Sequence, residues 1–303
     1  MSALTDTTGA TDVPVKASTD DRPASVPGAR SRRTLPLPAK IAAAVVLLVV
    51  LAALFAPLLA PSSPTQGSLA DRLHTIGSSG HLLGTDGQGR DILSRMLYGA
   101  RPSLLTGLIP VAVSGSAGTV LGLVAGLGAK VTRGLVMRVL DVFYAFPAVL
   151  LAIAIAAALG SGISNSIIAL SVILIPPVAR VAEAETARFR SADFIEAARA
   201  SGASKASIAL RQVLPNIAPA VMVYCTALIG LSIVSAAGLS FLGLGISPPA
   251  AEWGLMISDL QQYIFTEPQL LLVPVVAILV VSVAFNVLGD GLRSYLNVRL
   301  DTA

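Results

Sequence analysis

The densest run of charged residues after the N-terminal segment, Arg180 to Arg211, separates two long apolar stretches and is well suited to contact another molecule. Asp193 can cap a short helix there, with Glu196 three positions on as in a capping box, and Gly202 can end that helix. Glu196 also offers a charge for pairing. Three small residues would let a partner surface approach closely: Ala197, Ala198 and Ala200.

A second short helix is expected just after this glycine, from about Ser204 to Val213. Leu214 and Pro215 follow it. Because proline has no N–H and its ring clashes with the preceding turn, Pro215 is expected to break the chain before the next apolar stretch. A helix, a glycine and a second helix therefore predict a docking element outside the membrane, over residues 188–216.

Other groups that could do chemistry lie before residue 104. His74 and His81 are seven positions apart, but no carboxylate or cysteine cluster completes a ligand set in the sequence, so no metal site is predicted. The glycine-rich run from Gly84 to Arg90 lacks the strand-to-helix setting of a phosphate loop and is interpreted as a turn. The single cysteine, Cys225, excludes an intrachain disulfide and is expected to be a buried apolar filler.

Patterns for catalysis are missing from the sequence. It has no G-x-x-x-x-G-K-[ST] phosphate loop, so ATP must be handled by another polypeptide if it is used at all. It also lacks the Gly-x-Ser-Gly nucleophile and the paired aspartates of intramembrane proteases, because Asp141 and Asp290 lie at the ends of apolar stretches. No catalytic residue is predicted, and the chain is not expected to be an enzyme.

The composition indicates that a membrane surrounds most of this chain. Of the 303 residues, 54% are hydrophobic and 13% are charged, far more apolar than the core of a soluble domain requires. Gly160 to Ser166 interrupts one long apolar stretch and predicts a tight helical hairpin. The uncharged stretches predict an all-α membrane protein with six transmembrane helices, at 41–60, 104–127, 137–159, 167–187, 217–240 and 269–290.

The distribution of basic residues predicts the orientation. Lys and Arg are retained in the cytoplasm near the ends of spans. With both termini inside, the inner segments hold most of the 21 basic residues, and the outer segments hold only Arg72, Arg90, Arg95 and Arg101. The net charge of +4 reflects this bias, and no binding of nucleic acid is expected.

Four regions are expected along the chain. Residues 1–38 have no aromatic residue and are predicted to form a disordered cytoplasmic tail. Residues 39–103 hold the first transmembrane helix and an ordered extracytoplasmic elbow, 104–291 form the transmembrane core, and 292–303 form a cytoplasmic C-terminus. In the second outer segment, three aromatic residues would suit an interfacial belt: Trp253, Tyr263 and Phe265.

The segment EAARASGASKASIALRQVLPN, Glu196 to Asn216, resembles the EAA loop of bacterial ABC importer permeases. That loop has Glu-Ala-Ala, a glycine four residues after the last alanine, and a hydrophobic–proline pair about a dozen residues later. This sequence matches at Glu196, Ala197, Ala198, Gly202, Leu214 and Pro215. The resemblance implies the type I ABC importer permease fold, with these six residues coupling the chain to an ATPase.

Three further segments resemble the C-type permease subunit of dipeptide and oligopeptide importers, a binding-protein-dependent transport system. They are HLLGTDGQGRDILSRMLYGARPSLLTG from His81, GLSFLGLGISPPAAEWGLMISD from Gly238, and LGDGLRSYLNVRLD from Leu288. The resemblance covers the chain from about residue 40 onward. The longer N-terminal tail is the main departure from the family pattern.

The resemblance implies a complex in a bacterial plasma membrane. Its members would be a second, B-type permease, two ATPase subunits or one fused tandem ATPase that bind ATP and Mg²⁺, and an extracytoplasmic solute-binding protein. The chain itself would hold no cofactor and would contact membrane lipid. Contacts to the binding protein are expected from the glycine-rich turn, through Asp86, Arg90 and Asp91.

Peptides are the solute that the resemblance favours, with nickel complexes, glutathione, haem or another small solute as alternatives. An ion-coupled secondary transporter is a more distant alternative. Such proteins keep ionisable residues near the membrane midplane. Here the charges within the predicted spans lie near their inner ends, as with Arg180, Glu183 and Glu185.

Overall fold

The structure is a computed structural model that describes residues 35–297. Within that range the regular structure is helical, apart from isolated bridges at Ser78–His81 and Thr85–Asp91. The helices are α1 Leu37–Leu54, α2 Ala56–Leu59, α3 Ile92–Leu127, α4 Lys130–Tyr144, α5 Ala148–Leu159, α6 Ile163–Arg188, α7 Asp193–Ala200, α8 Lys205–Ile208, α9 Leu214–Phe241, α10 Trp253–Leu260 and α11 Pro268–Asn297. Most of the predicted N-terminal tail, and residues 298–303 of the predicted C-terminus, lie outside the described residues.

Six membrane crossings account for the long helices. Helices α1, α3, α6 and α11, and the continuous helix from Lys205 to Phe241, are each long and apolar enough to span a bilayer. Helices α4 and α5 together form a sixth, bent crossing. Large apolar side chains such as Leu47, Leu48 and Leu272 are exposed on these helices, as expected of residues that face lipid. The predicted all-α membrane fold is confirmed.

The third crossing is not the straight helix expected at 137–159. Helix α4 ends at Tyr144, α5 begins at Ala148, and the two axes differ by 85°. Pro147 explains the bend, because it cannot donate a backbone hydrogen bond and it disfavours a helical conformation at Phe146. The expected hairpin turn is confirmed: Gly160 (φ 89°) and Gly162 (φ 143°) separate α5 from α6.

The fifth crossing also differs from its prediction, because its helix is continuous where a break was expected. Pro215 does not break the chain: α8 continues through a π turn at Ala209–Val213 directly into α9. In this turn the N–H of Leu214 donates to the carbonyl oxygen of Ala209, five residues back. The wider turn moves the carbonyl groups that a proline ring would meet in a regular helix, so Pro215 is accommodated.

Helices α3 and α6 pack with almost no space between their backbones. Along α3, Gly118, Gly122 and Gly126 recur every four residues and face α6. A Cβ atom added at Gly122 would lie 2.5 Å from the Cβ of Ala182, and one at Gly126 would lie 2.5 Å from the Cβ of Thr186. This small-residue stripe lets the two helices approach closely, as is common in membrane proteins.

We expect Gly122→Ile to prevent this packing, because the new side chain has to displace α6 backbone as well as Ala182. Overpacking a tight contact costs about 1–3 kcal/mol or more. The fraction of protein that elutes as a single species from size-exclusion chromatography after detergent extraction should fall sharply. Gly134→Ile on α4 is the matched control, since a Cβ there meets nothing within 4 Å. Equal recovery of both variants would contradict this account.

Candidate functional site

Helix α3 separates two irregular parts of the chain. At 36 residues it is about 54 Å long. Its first turn follows residues 60–91, which we call the elbow, and its last turns pack near residues 188–216, which we call the docking segment. The two segments therefore lie at opposite ends of α3.

The docking segment is held to the helices by one side of α7. Ile195 is fully buried, in a cluster that includes Leu123 of α3 and Val213 and Ile217 at the start of the fifth crossing. Phe194 contacts the ring of Phe189 edge to face, with the ring centroids 6.1 Å apart. Helix α7 is thus seated firmly on the ends of α3 and α9 while the rest of its surface faces outward.

Gly202 ends α7 as predicted. Its φ of 81° lies in the left-handed region, and its N–H donates to the carbonyl oxygen of Arg199 at 3.0 Å. The N–H of Ala203 donates to the carbonyl oxygen of Ala198, which completes a Schellman motif. The predicted N-terminal cap is wrong: Ala192 occupies the cap position without a side-chain bond, and Asp193 is the first helical residue. Asp193 still lies in the first turn, where a carboxylate favours the helix dipole.

Most of the predicted coupling residues are at the surface. Glu196, Ala197 and Gly202 are exposed on α7 and its end, and no basic side chain of residues 35–297 pairs with Glu196. Ala198 is half-buried beneath them. At the start of α9, Pro215 is exposed and Leu214 is half-buried. The structure thus places a negative charge, small exposed side chains and an unobstructed Gly202 together on the surface of α7 and its C-terminal end.

At the other end of α3, a buried network of charges fixes the elbow. Asp86 accepts a bond from Nε of Arg90 at 2.7 Å, and its other oxygen accepts the backbone N–H groups of Gln88 and Arg90. Arg90 and Arg95 both donate to Asp259 of α10, at 3.1 and 3.3 Å. The network joins the elbow, the start of α3 and residues 242–267, which connect α9 to α11, into one unit.

Comparisons with known proteins agree with this architecture. A family model described as "Binding-protein-dependent transport system inner membrane component" matches residues 118–302. The chain belongs to this family. A second model, "N-terminal TM domain of oligopeptide transport permease C", matches residues 38–75, so the chain is a C-type permease of the family.

Related proteins extend the likeness over most of the permease. It is 41% identical to the glutathione transport system permease protein GsiD of Pectobacterium atrosepticum over 255 residues, covering 84% of this chain and 85% of that protein. It is 43% identical to GsiD of Shigella dysenteriae serotype 1, covering 86% of each. The structure resembles the permease fold of the MetNI methionine ABC transporter in an inward-facing conformation, with a TM-score of 0.54 and 19% identity over 66% of this chain and 96% of that one.

The permease is therefore a multi-pass membrane subunit of an ABC importer. The predicted family and fold are confirmed. A transport subunit of this kind agrees with the prediction that the chain is not an enzyme. Which partners it binds, and which solute it passes, are taken up below.

The sequence predicted that Asp86, Arg90 and Asp91 contact a solute-binding protein, and their burial is at odds with direct contact. All three side chains are nearly inaccessible, at 3%, 2% and 2% exposure. Asp86 and Arg90 pair inside the elbow, and Asp91 caps α3 by accepting the N–H of Ser94 at 2.7 Å. These residues stabilise the elbow from its interior and do not form its surface.

Trp253 is also misplaced by the prediction of an aromatic belt. It is 3% exposed, and its ring N–H donates to the carbonyl oxygen of Met96 at 3.1 Å. Helix α10 begins there because buried Glu252 accepts the N–H groups of Gly254 and Leu255. Phe265, by contrast, is 97% exposed. The segment between α9 and α11 thus packs on α3 through its tryptophan.

Several charged residues that make contacts at either end of α3 were missed by sequence reasoning. Arg95 and Asp259 complete the elbow network, but nothing in the sequence shows that residues 164 positions apart meet. Near the docking segment, Arg133 of α4 pairs with buried Glu183 of α6 at 2.7 Å. The prediction that no carboxylate accompanies the two histidines is corrected as well, because Asp71 lies beside His74 and His81.

Proposed function

We propose that α7 docks onto a separate ATPase subunit and transmits its movement to the transmembrane helices. The observation that carries this proposal is the surface of α7: one side is fixed by Ile195, and the remaining exposed residues include an unpaired carboxylate and small side chains. A helix without such an anchor could bind a partner but could not transmit force. A helix buried on every side could not bind one.

The connections of α7 favour transmission to two crossings at once. The chain enters α7 from the end of α6 and leaves it through α8, which is continuous with α9. Helix α6 in turn packs against α3 along the glycine stripe. A displacement of α7 therefore shifts α6 and α9 together. Coupling further requires that nucleotide binding by the ATPase favour one of two packings of these helices.

The whole importer would contain this permease, a second B-type permease, two ATPase subunits or one fused tandem ATPase, and a solute-binding protein outside. Each permease would form half of the pathway. A cleft of about 240 Å³ lies between the α4–α5 bend, α6 and α9, and its lining includes Tyr144, Ser232 and Ser235. The orientation is that of the basic residues: the docking segment and both termini face the cytoplasm of a bacterial cell, and ATP and Mg²⁺ are bound by the partners.

Small peptides are the proposed solutes, and glutathione, itself a tripeptide, is the first to test, because two relatives above 40% identity are named as glutathione permeases. Cells that lack the permease gene should lose uptake of labelled glutathione and regain it with the gene. Restored uptake of dipeptides or longer peptides, without glutathione, would leave the importer role standing and correct the solute.

Cross-linking tests the docking proposal directly. In a Cys225→Ala background, Ala197→Cys places a lone thiol on exposed α7, and a maleimide–benzophenone reagent attached to it should form a photo-adduct with the ATPase in native membranes. Ser161→Cys, exposed in the α5–α6 turn, is the matched control and should give no such adduct. Equal labelling of the ATPase from both positions, or none from α7, would refute the proposal.

Reversing the charge at the docking surface should weaken coupling. We expect Glu196→Lys to cost about 2 kcal/mol or more of docking free energy, roughly 30-fold in affinity, if Glu196 meets a basic group in the complex. Solute uptake and retention of the ATPase during purification both measure this. Glu196→Gln, which keeps the size of the side chain, should give a smaller loss. Normal uptake by Glu196→Lys at normal abundance in the membrane would contradict the assigned role.

A further inference from the structure

The elbow brings together three side chains that could ligate a metal ion. One donor atom from each of Asp71, His74 and His81 lies within 4.8 Å of the others, and all three residues are half-buried. Two imidazoles and a carboxylate are a ligand set that suits Zn²⁺ and similar divalent transition metals. Bound zinc requires donor atoms about 3.3 Å apart, so small side-chain rotations would close this set around an ion.

His81 is already oriented by a second carboxylate. Its Nδ1 lies 3.0 Å from Oδ1 of Asp91, which leaves Nε2 free to bind an ion. Asp91 is 2% exposed and is held in place by the N–H of Ser94. Ligating histidines in metalloproteins usually carry such a carboxylate on the nitrogen away from the metal. The feature that distinguishes a metal site from a chance meeting of loop histidines is therefore present.

His74 provides an independent observation. Its Nδ1 is buried and has no hydrogen-bond partner within the described part of the chain. Buried polar atoms are nearly always paired, so an unpaired ring nitrogen beside two other donor groups requires an explanation. The ring of His74 lies edge to face with that of His81, with the centroids 5.9 Å apart. A metal ion bound by Nδ1 of His74 would satisfy this nitrogen.

Backbone contacts hold two of the three ligands, Asp71 and His74, in place before any ion binds. Thr85 links two of them: its hydroxyl accepts the N–H of His74 at 2.8 Å and donates to the carbonyl oxygen of Asp71. Between these ligands, Leu73 has a φ of 56°, a left-handed conformation that is unfavourable for a residue other than glycine. Such conformations are found at ligand clamps, and this one lies between Asp71 and His74 in the chain.

We propose that Asp71, His74 and His81 bind one divalent transition-metal ion, best Zn²⁺, with a fourth position open to water or to a ligand from a partner. The ion would tie the 3₁₀ turn at Leu69–Asp71 to the loop at His81 and, through Asp91, to the first turn of α3. Arg72, although adjacent to Asp71, directs its guanidinium away from the site, to the hydroxyl of Tyr263 at 3.0 Å. The site lies in the elbow and is separate from the proposed docking segment.

Direct metal titration tests this proposal. The importer complex, purified in lipid nanodiscs without a polyhistidine tag and stripped with a chelator, is titrated with ZnSO₄ against a chromophoric competitor. Wild type should bind one more Zn²⁺ per permease chain than His74→Ala or Asp71→Asn. Asp91→Asn, which keeps the cap on α3, should bind the same number about 10- to 100-fold more weakly. Asp193→Ala, at the other end of α3, should match wild type.

A conservative replacement separates ligation from structure. His74→Cys retains a metal ligand and should restore the Zn²⁺ that His74→Ala loses, in protein of unchanged size-exclusion profile. The proposal is overturned if wild type binds no more Zn²⁺ than His74→Ala and Asp71→Asn. These outcomes do not depend on transport or on the ATPase, so they stand apart from the test of the docking segment.

Discussion

Replacing Gly202 by aspartate is expected to abolish solute uptake while leaving the permease inserted in the membrane. A Cβ atom built at Gly202 meets nothing within 4 Å, so the chain itself has room for the new side chain. The space above Gly202 is where the proposed ATPase would approach, and a charged side chain there would be desolvated without a partner. Desolvating an unpaired charge costs several kcal/mol, enough to reduce a docked population by more than 100-fold.

Backbone strain has to be separated from this effect. Gly202 has a φ of 81°, and aspartate tolerates the left-handed region better than most residues but still at some cost. Gly243→Asp is the matched control, because Gly243 has a φ of 78°, ends α9 in the same Schellman hydrogen-bond pattern, and also meets nothing within 4 Å. Uptake should survive in that variant. Equal loss of uptake in both would attribute the effect to backbone strain and not to docking.

Gly202 also shows what the sequence could predict. Its position after a short amphipathic run identifies a helix end without any structure, because only glycine adopts the left-handed conformation freely. The six crossings followed in the same way from uncharged stretches of sufficient length. Signals of this kind depend only on residues that are close in sequence, so they can be interpreted without knowledge of the tertiary structure.

Prolines show where the local reading failed. Pro147 bends the third crossing by 85°, whereas Pro215 lies within a continuous helix after a π turn. Both residues lack an N–H, and the difference lies in whether the preceding backbone can rearrange around the ring. At Pro215, buried Val213 and Ile217 anchor the helix on both sides of the proline. That anchoring is a tertiary property, which the residue types do not reveal.

Long-range pairs were equally inaccessible to the sequence. Asp71 is only three residues from His74, yet its place beside both histidines goes with a left-handed conformation at Leu73, which is unfavourable for leucine. Trp253 looked like a membrane anchor because its partner, the carbonyl oxygen of Met96, is 157 positions away. In both cases the surroundings of the side chain depend on contacts between segments that are distant in the sequence.

The largest loss of stability is expected from Asp86→Ala. The carboxylate of Asp86 pairs with Arg90 at 2.7 Å and lies 3.5 Å from Arg95, and both arginines are nearly fully buried. Removing it leaves two guanidinium groups with Asp259 as their remaining acidic partner among the described residues. Breaking a buried ion pair by removing one partner costs about 3–5 kcal/mol. Unfolding of the purified permease, followed by thermal denaturation in detergent, should therefore shift to a markedly lower temperature.

Two further variants assign this loss to its cause. Asp86→Asn keeps an oxygen that can accept the N–H groups of Gln88 and Arg90 but loses the charge and the oxygen that accepts from Nε of Arg90, so its loss should be smaller than that of Asp86→Ala. Asp193→Ala removes an exposed carboxylate that makes no capping bond, and should change stability by no more than about 0.5 kcal/mol. Because the same network positions the first turn of α3, a normal melting temperature for Asp86→Ala would mean that the elbow is held by its apolar contacts alone.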